Sequence, residues 1–140
     1  MAEPHLVLGV PEMDDDHARL EALLARVAET SDDGLAALLD AVEEETRAHF
    51  THEEGLMQAA NFPVLFCHIA QHKMILDGIV AARGIAERGD AKGLRNYLGS
   101  ILPELIEGHV ASVDRVTAGF LKGEIPAEAF SNMRLPERVA

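Results

Sequence analysis

The stretch HFTHEEGLMQAANFPVLFCHIAQHK, residues 49–73, carries four of the seven histidines of the chain. Within it, His49 lies four residues before Glu53, and His68 lies four residues before His72. A step of four returns a side chain to nearly the same face of a helix one turn later. The spacing therefore predicts two helices, each of which presents a pair of potential metal ligands on one face.

The rest of the chain has the same helical periodicity. Apolar residues recur three and four positions apart through most of the sequence, and no segment alternates as a strand would. Because the connections between the helices are short, we expect an all-α protein that forms an antiparallel four-helix bundle. The four helices are expected at about 14–30, at about 35–60, from 64 or 65 to at least 83, and at about 94–121.

Three sequence features mark the helix ends and one interrupts a helix. TSDDG at 30–34 suits a turn followed by a new N-cap. Asn61-Phe62-Pro63 ends the second helix, because proline disfavours helical geometry in the residue before it. Glycines and charges in ERGDAKG end the third helix. Pro103 falls inside the fourth helix, where a kink or an interrupted turn is expected.

The length of 140 residues suits one domain. We expect a single domain over 1–140, with the bundle at about 14–121. A proline-bearing N-terminal arm precedes the bundle. GEIPAEAFSNMRLPERVA, the tail at about 123–140, contains two prolines and little periodicity, and we expect it to be peripheral.

Composition excludes several classes of function. With 12 Lys and Arg against 24 Asp and Glu, the formal net charge of −12 repels phosphate backbones and anionic headgroups, so neither nucleic acid nor a membrane surface is an expected partner. Cys67 is the only cysteine, which excludes an intrachain disulfide and a thiolate metal cage. No secretory signal pattern and no apolar run of membrane-spanning length is visible. A cytoplasmic location is the expectation, and a protein partner is left open.

Each predicted helix offers candidate metal ligands, which together amount to five imidazoles and two carboxylates. They are His17, His49, Glu53, His68, His72, His109 and Asp114. Imidazole suits iron, zinc, copper and nickel, and seven ligands exceed the needs of one tetrahedral zinc, so two metals fit better than one. Asp114 follows His109 by five residues, about 140° around an ideal helix, and reaches such a site only if the fourth helix is irregular there.

Four segments of the chain resemble the ligand motifs of the hemerythrins, in particular of their single-domain bacterial members. They are MDDDH, HFTHEEGLM, NFPVLFCHIAQHK and HVASVD, and the resemblance covers about residues 10–121. It implies a non-haem centre of two irons, one of them a ligand short and able to bind dioxygen. One iron would be held by His68, His72 and His109 and the other by His17 and His49, with Glu53, Asp114 and an oxo or hydroxo group as bridges.

The chain departs from the family pattern at several positions around this centre. Leu105 stands one turn before His109, where the family often has an aromatic residue, and we expect the oxygen pocket to be lined by aliphatic residues such as Leu105, Ile106, and Ile101 or Leu102. Phe62 stands where tyrosine is common, and Asp16 where glutamine is common. The run Asp14-Asp15-Asp16 is interpreted as helix N-terminal charge, and His5 and His52 as histidines outside the site.

Three functions are compatible with this pattern. The first is reversible binding of dioxygen, for carriage, storage or sensing. The second is a di-iron enzyme with peroxidase-like or nitric-oxide-handling activity. The third is a bundle that metal merely stabilises, which the ligand count disfavours because structural sites are usually closed and four-coordinate. A donor set of five histidines, without the Glu-x-x-His pattern of carboxylate-rich di-iron enzymes, favours binding over oxidation.

Overall fold

A computed structural model describes residues 7–131 of the chain. Three long helices come first, and three shorter ones follow and continue one another as the fourth helix of the bundle. The elements are α1 (Pro11–Ala25), α2 (Leu35–Ala59), α3 (Leu65–Glu87), α4 (Ala91–Asn96), α5 (Leu102–His109) and α6 (Arg115–Leu121). No strand occurs within the described residues. The predicted antiparallel four-helix bundle is confirmed.

Helix α1 begins earlier and ends earlier than its periodicity suggests. Pro11 occupies its first turn, where the missing N–H costs nothing. The Asp14 carboxylate accepts hydrogen bonds from the backbone N–H groups of Leu8 and Gly9, at 2.8 and 3.0 Å, and so ties the preceding segment to the helix. The α-helix stops at Ala25, and Arg26–Glu29 tightens into a 3₁₀ turn.

Three helices end in the same way, with a residue of positive φ just past the last turn. After α2 this residue is Asn61, at φ 55°, and the N–H of Phe62 then donates to the carbonyl of Met57 at 2.9 Å. Gly89 and Gly123 adopt the same conformation after α3 and α6. This is the Schellman arrangement, in which a left-handed residue lets orphan carbonyls be satisfied. The predicted stop before Pro63 is therefore made by Asn61 itself.

The fourth helix of the bundle contains two π turns, each of which inserts one residue into the α-helical path. The first, Tyr97–Ile101, separates α4 from α5 and ends two residues before Pro103, which has no N–H to donate one turn back. The expected interruption at this proline is confirmed. The second, Val110–Asp114, separates α5 from α6.

Apolar residues form clusters on both sides of a polar layer that crosses all four helices. Leu20, Phe50, Ile75 and Leu102 belong to the larger cluster. Two smaller clusters lie beyond the polar layer, one around Met13, Val110 and Ala118 and the other around Met57, Phe62, Val64 and Phe130. Candidate metal ligands of every helix fall between these clusters, so the bundle itself aligns them.

The segment after α6 is less peripheral than expected. Ala127–Phe130 forms a 3₁₀ turn, and the Phe130 ring, 6% exposed, packs edge-on against Phe62 with 5.4 Å between the ring centroids. The expectation of a peripheral tail is wrong for this part, because one aromatic residue is enough to dock it. Residues 132–140 of the tail, and 1–6 of the N-terminal arm with His5, lie outside the described residues. No helix between residues 7 and 131 is long and apolar enough to cross a membrane.

Candidate metal centre

All seven predicted ligands converge in the polar layer of the bundle. None is more than 6% exposed, although all are ionisable. They are His17 from α1, His49 and Glu53 from α2, His68 and His72 from α3, His109 from α5 and Asp114 at the end of the second π turn. Burying so many polar side chains together is costly unless their charges and lone pairs are satisfied.

The seven side chains form two overlapping groups, and within each group the ligand atoms lie within 4.8 Å of one another. The first group consists of Glu53, His68, His72, His109 and Asp114. The second consists of His17, His49, Glu53 and Asp114. Only the two carboxylates belong to both groups, and the histidines divide three to two.

Glu53 places one oxygen in each group. Its Oε1 lies 2.6 Å from His68 Nε2 and 3.0 Å from His72 Nε2. Its Oε2 lies 3.2 Å from His49 Nε2 and 3.9 Å from His17 Nε2. A carboxylate turned in this way can bridge two cations.

Asp114 repeats this arrangement from the opposite side. Its Oδ1 lies 2.9 Å from His68 Nε2 and 3.0 Å from His109 Nε2, whereas its Oδ2 lies 2.9 Å from His17 Nε2. The π turn makes this possible, because a π turn takes more residues than an α turn and so returns Asp114 to the face of His109 after five residues. The condition that the spacing imposed, an irregular fourth helix at this point, is met.

The contacts between these atoms fit ligands around cations better than hydrogen bonds. His17 Nε2, His68 Nε2, His109 Nε2, Glu53 Oε2 and both oxygens of Asp114 are buried without a hydrogen-bond partner. Two donors that each lie about 2.1 Å from one metal, at right angles, are about 3.0 Å apart. Most of the observed nitrogen–oxygen distances, 2.6–3.2 Å, are close to this value. The residues present therefore fit a pair of metal ions.

The electrostatics of the metal-free cluster point in the same direction. Burial by itself would raise the pKa of Asp114, but contact with His109 and the other imidazoles holds that pKa well below its usual range. Burial raises the pKa of Glu53. Burial would also lower the pKa of His68, but the two carboxylates raise it to about 9, whereas burial lowers the pKa of His72 to about 4. Cations at the centre would instead allow neutral imidazoles and ionised carboxylates throughout.

Three of the five imidazoles are anchored through the ring nitrogen that faces away from the centre. Nδ1 of His68 lies 2.7 Å from Thr117 Oγ1, and Nδ1 of His72 lies 2.7 Å from Glu54 Oε2. Nδ1 of His49 lies 3.1 Å from Asp16 Oδ2. Nδ1 of His17 and of His109 has no hydrogen-bond partner within the described chain. Such anchors fix the tautomer and ring orientation of a metal ligand.

These anchoring residues were not predicted as part of the site. Asp16 was interpreted as N-terminal helix charge, yet it is 4% exposed and reaches across to α2. His52 is outside the ligand groups, as expected, and its side chain is 46% exposed, but it also hydrogen-bonds to Asp16 at 2.9 Å. The departure from glutamine at position 16 was the one signal in the sequence that pointed to this contact.

An aromatic ring packs directly against the three-histidine group. Phe50 is stacked on His72, with 3.8 Å between the ring centroids and 5° between the planes, and is tilted against His109 at 6.1 Å. Ile106, expected to line an oxygen pocket, is partly buried and packs against two of the apolar clusters. Leu105, expected to line the same pocket, is 47% exposed.

Comparison with known proteins gives a consistent result. A family model described as the hemerythrin HHE cation binding domain matches residues 8–121. A bacteriohemerythrin of Ralstonia nicotianae is 36% identical over 116 residues, which cover 83% of this chain and 84% of the relative. A bacteriohemerythrin of Stenotrophomonas maltophilia is 26% identical over 124 residues, which cover 86% of this chain and 80% of the relative. No solved structure matches the chain.

Proposed function

Because the chain belongs to the hemerythrin family, we propose that it binds dioxygen reversibly at a centre of two non-haem irons, for oxygen carriage, storage or sensing. One observation carries the proposal. Glu53 and Asp114, both fully buried, each direct one oxygen to a group of three histidines and the other to a group of two. This is the donor arrangement that two bridged cations need.

In this proposal each histidine group holds one iron. The first iron would be held by His68, His72 and His109, the second by His17 and His49, and both by Glu53 and Asp114, with an oxo or hydroxo bridge between them. Two divalent ions bring four positive charges into the core, and two carboxylates with an anionic bridge offset most of them. The neutral imidazoles complete the two sets without over-correcting the charge.

The unequal size of the two groups supports a site for an external ligand. The three-histidine group offers five protein donors and the two-histidine group four. With a shared bridge, the second iron would therefore be one donor short of the first. The irons would supply the electrons that dioxygen accepts on binding and would recover them when it leaves.

The protein around the centre contributes shielding from water. The ligand side chains are nearly inaccessible to solvent, and apolar clusters cover the polar layer on both sides. We propose that Ile106 and Leu105 line the path of the oxygen molecule, with Phe50 as the wall behind His72. Neutral imidazoles in a site shielded from water stabilise high-valent iron only weakly. This donor set therefore favours reversible binding of dioxygen over oxidation of a substrate.

The cellular setting belongs to the same proposal. A single cysteine, Cys67, which is unpaired, suits a reducing compartment such as the cytoplasm. A net charge of −12 opposes binding to nucleic acid or to anionic membranes. Dioxygen is therefore the one partner that we assign.

The test is an oxygen titration of the anaerobically reduced protein with iron counted per chain. We expect two irons per chain and an absorption band that appears with oxygen and disappears on degassing, through several cycles. Zinc alone, or one iron per chain, would contradict the proposal. A band that decays in a single turnover, with stoichiometric oxidation of an added peroxidase substrate, would point to the enzymatic alternative instead.

A further inference from the structure

One carboxylate outside the ligand set binds three side chains at once. Oδ2 of Asp16 accepts a hydrogen bond from Nδ1–H of His49 at 3.1 Å and a second from Nδ1–H of His52 at 2.9 Å. Its other oxygen, Oδ1, forms an ion pair with Arg19. The residue is 4% exposed, although it carries a charge. A buried carboxylate is retained at this cost only where its partners satisfy it fully.

We propose that Asp16 is a positioning residue for the two-histidine iron, which fixes the tautomer and the orientation of His49 and holds a negative charge one ring away from that metal. The inference rests on the proposed function, because it assumes an iron at His49. Neither the ligand set nor the resemblance to the family assigns this role to position 16.

The tautomer follows from the chemistry of the contact. An ionised carboxylate can only accept hydrogen bonds, so the proton of the neutral His49 ring must lie on Nδ1. Nε2 then carries the free lone pair, and it is this atom that lies 3.2 Å from Glu53 Oε2 in the shared part of the centre. A carboxylate on the far nitrogen also makes the ring a stronger donor to a metal.

The role is specific to one half of the centre. Within residues 7–131, Nδ1 of His17 has no hydrogen-bond partner, so Asp16 is the only anchor that this part of the chain gives to the two-histidine group. Glu54 provides the corresponding carboxylate for the other half, at 2.7 Å from Nδ1 of His72. Asp16 also precedes His17 on α1, so one turn of this helix supplies both a ligand and the support for a ligand on α2. Its loss should therefore affect the two irons unequally.

The variant Asp16→Asn tests this with little change in shape. We expect one of the two irons to be transferred to an excess of a ferrous chelator about 10–100-fold faster than in the unchanged protein, while the other is released at the normal rate. The midpoint potential of the centre should become more positive, because an anionic group that favours ferric iron is removed. Asp15→Asn, the same substitution at the exposed neighbour, is the matched control and should change neither quantity.

A measurement without any substitution covers the case in which Asp16→Asn does not fold. Nitrogen NMR of the unchanged protein loaded with zinc in place of iron should show His49 protonated at Nδ1 and metal-bound at Nε2. Metal on Nδ1, or no proton there, overturns the inference. The inference is also overturned if a folded Asp16→Asn variant releases iron at the same rate as Asp15→Asn and has the same midpoint potential. If the unchanged protein does not hold two irons, the proposed function fails before this question arises.

Discussion

Thr117 offers the sharpest test of how the bundle orients the proposed metal ligands. Its side chain is fully buried, and its Oγ1 lies 2.7 Å from Nδ1 of His68 while donating to the carbonyl of Val113 at 3.1 Å. Because the hydroxyl proton is used on that carbonyl, Oγ1 accepts from Nδ1–H and leaves Nε2 of His68 free for metal. Thr117→Val keeps the shape and removes the acceptor.

The substitution Thr117→Val should destabilise the metal-loaded protein. With metal on Nε2, the proton must stay on Nδ1, and a buried N–H without a partner costs about 1–3 kcal/mol. That corresponds to about 5–150-fold weaker binding of the iron at the three-histidine group. In the metal-free protein, despite burial, the two carboxylates raise the pKa of His68 to about 9, so both quantities are compared above that pH. There the neutral ring can carry its proton on Nε2, 2.6 Å from Glu53 Oε1, and the stability should change little.

The assay is a competition between the protein and a ferrous chelator under anaerobic conditions, with thermal unfolding of the metal-free protein measured beside it. Thr46→Val is the matched control, because Thr46 is equally buried and its hydroxyl donates to the carbonyl of Val42 at 2.6 Å, with no hydrogen bond to a histidine among the described residues. Equal iron affinity in the two variants would show that Thr117 does not set the tautomer of His68.

Three further predictions follow from burial and contact at other positions. His72→Ala should lower the iron content to one per chain or fewer, whereas His52→Ala, which removes no proposed ligand, should keep two irons. Equal losses of iron in the two variants, measured by metal analysis, would show that the ligand assignment is wrong. Phe130→Ala should destabilise the fold by about 3 kcal/mol in urea unfolding, as for other buried aromatic residues, and an unchanged midpoint would mean that the segment does not dock. Ile106→Ala should speed decay of the oxygenated absorption band in air more than Leu105→Ala does, because Leu105 is 47% exposed, and the reverse order would place Leu105 nearer the oxygen.

The sequence was most informative where local periodicity and site chemistry coincide. Helices α2 and α3 carry His49 with Glu53 and His68 with His72 at a four-residue spacing, so both the helices and the direction of these ligands could be predicted. Asp114 could be predicted only conditionally, because the spacing shows that an irregular turn is needed but not that a π turn provides it.

The contacts that support the ligands could not be predicted in the same way. Asp16 and Thr117 lie 33 and 49 residues from the histidines that they anchor, so these pairings depend on how the helices cross and on the rotation of each about its axis. Docking of Phe130 likewise depends on the space left beside Phe62 at one end of the bundle. Short-range patterns carry no information on such packing.

We propose above all that two irons share Glu53 and Asp114. A crystal structure of the iron-loaded protein, with diffraction data collected on either side of the iron absorption edge, locates each iron directly. We expect two anomalous peaks per chain, one beside His68, His72 and His109 and the other beside His17 and His49, with an oxygen of each carboxylate bound to each peak. A single peak, or two peaks of which only one contacts Glu53 and Asp114, would show that the two carboxylates do not bridge a pair of irons.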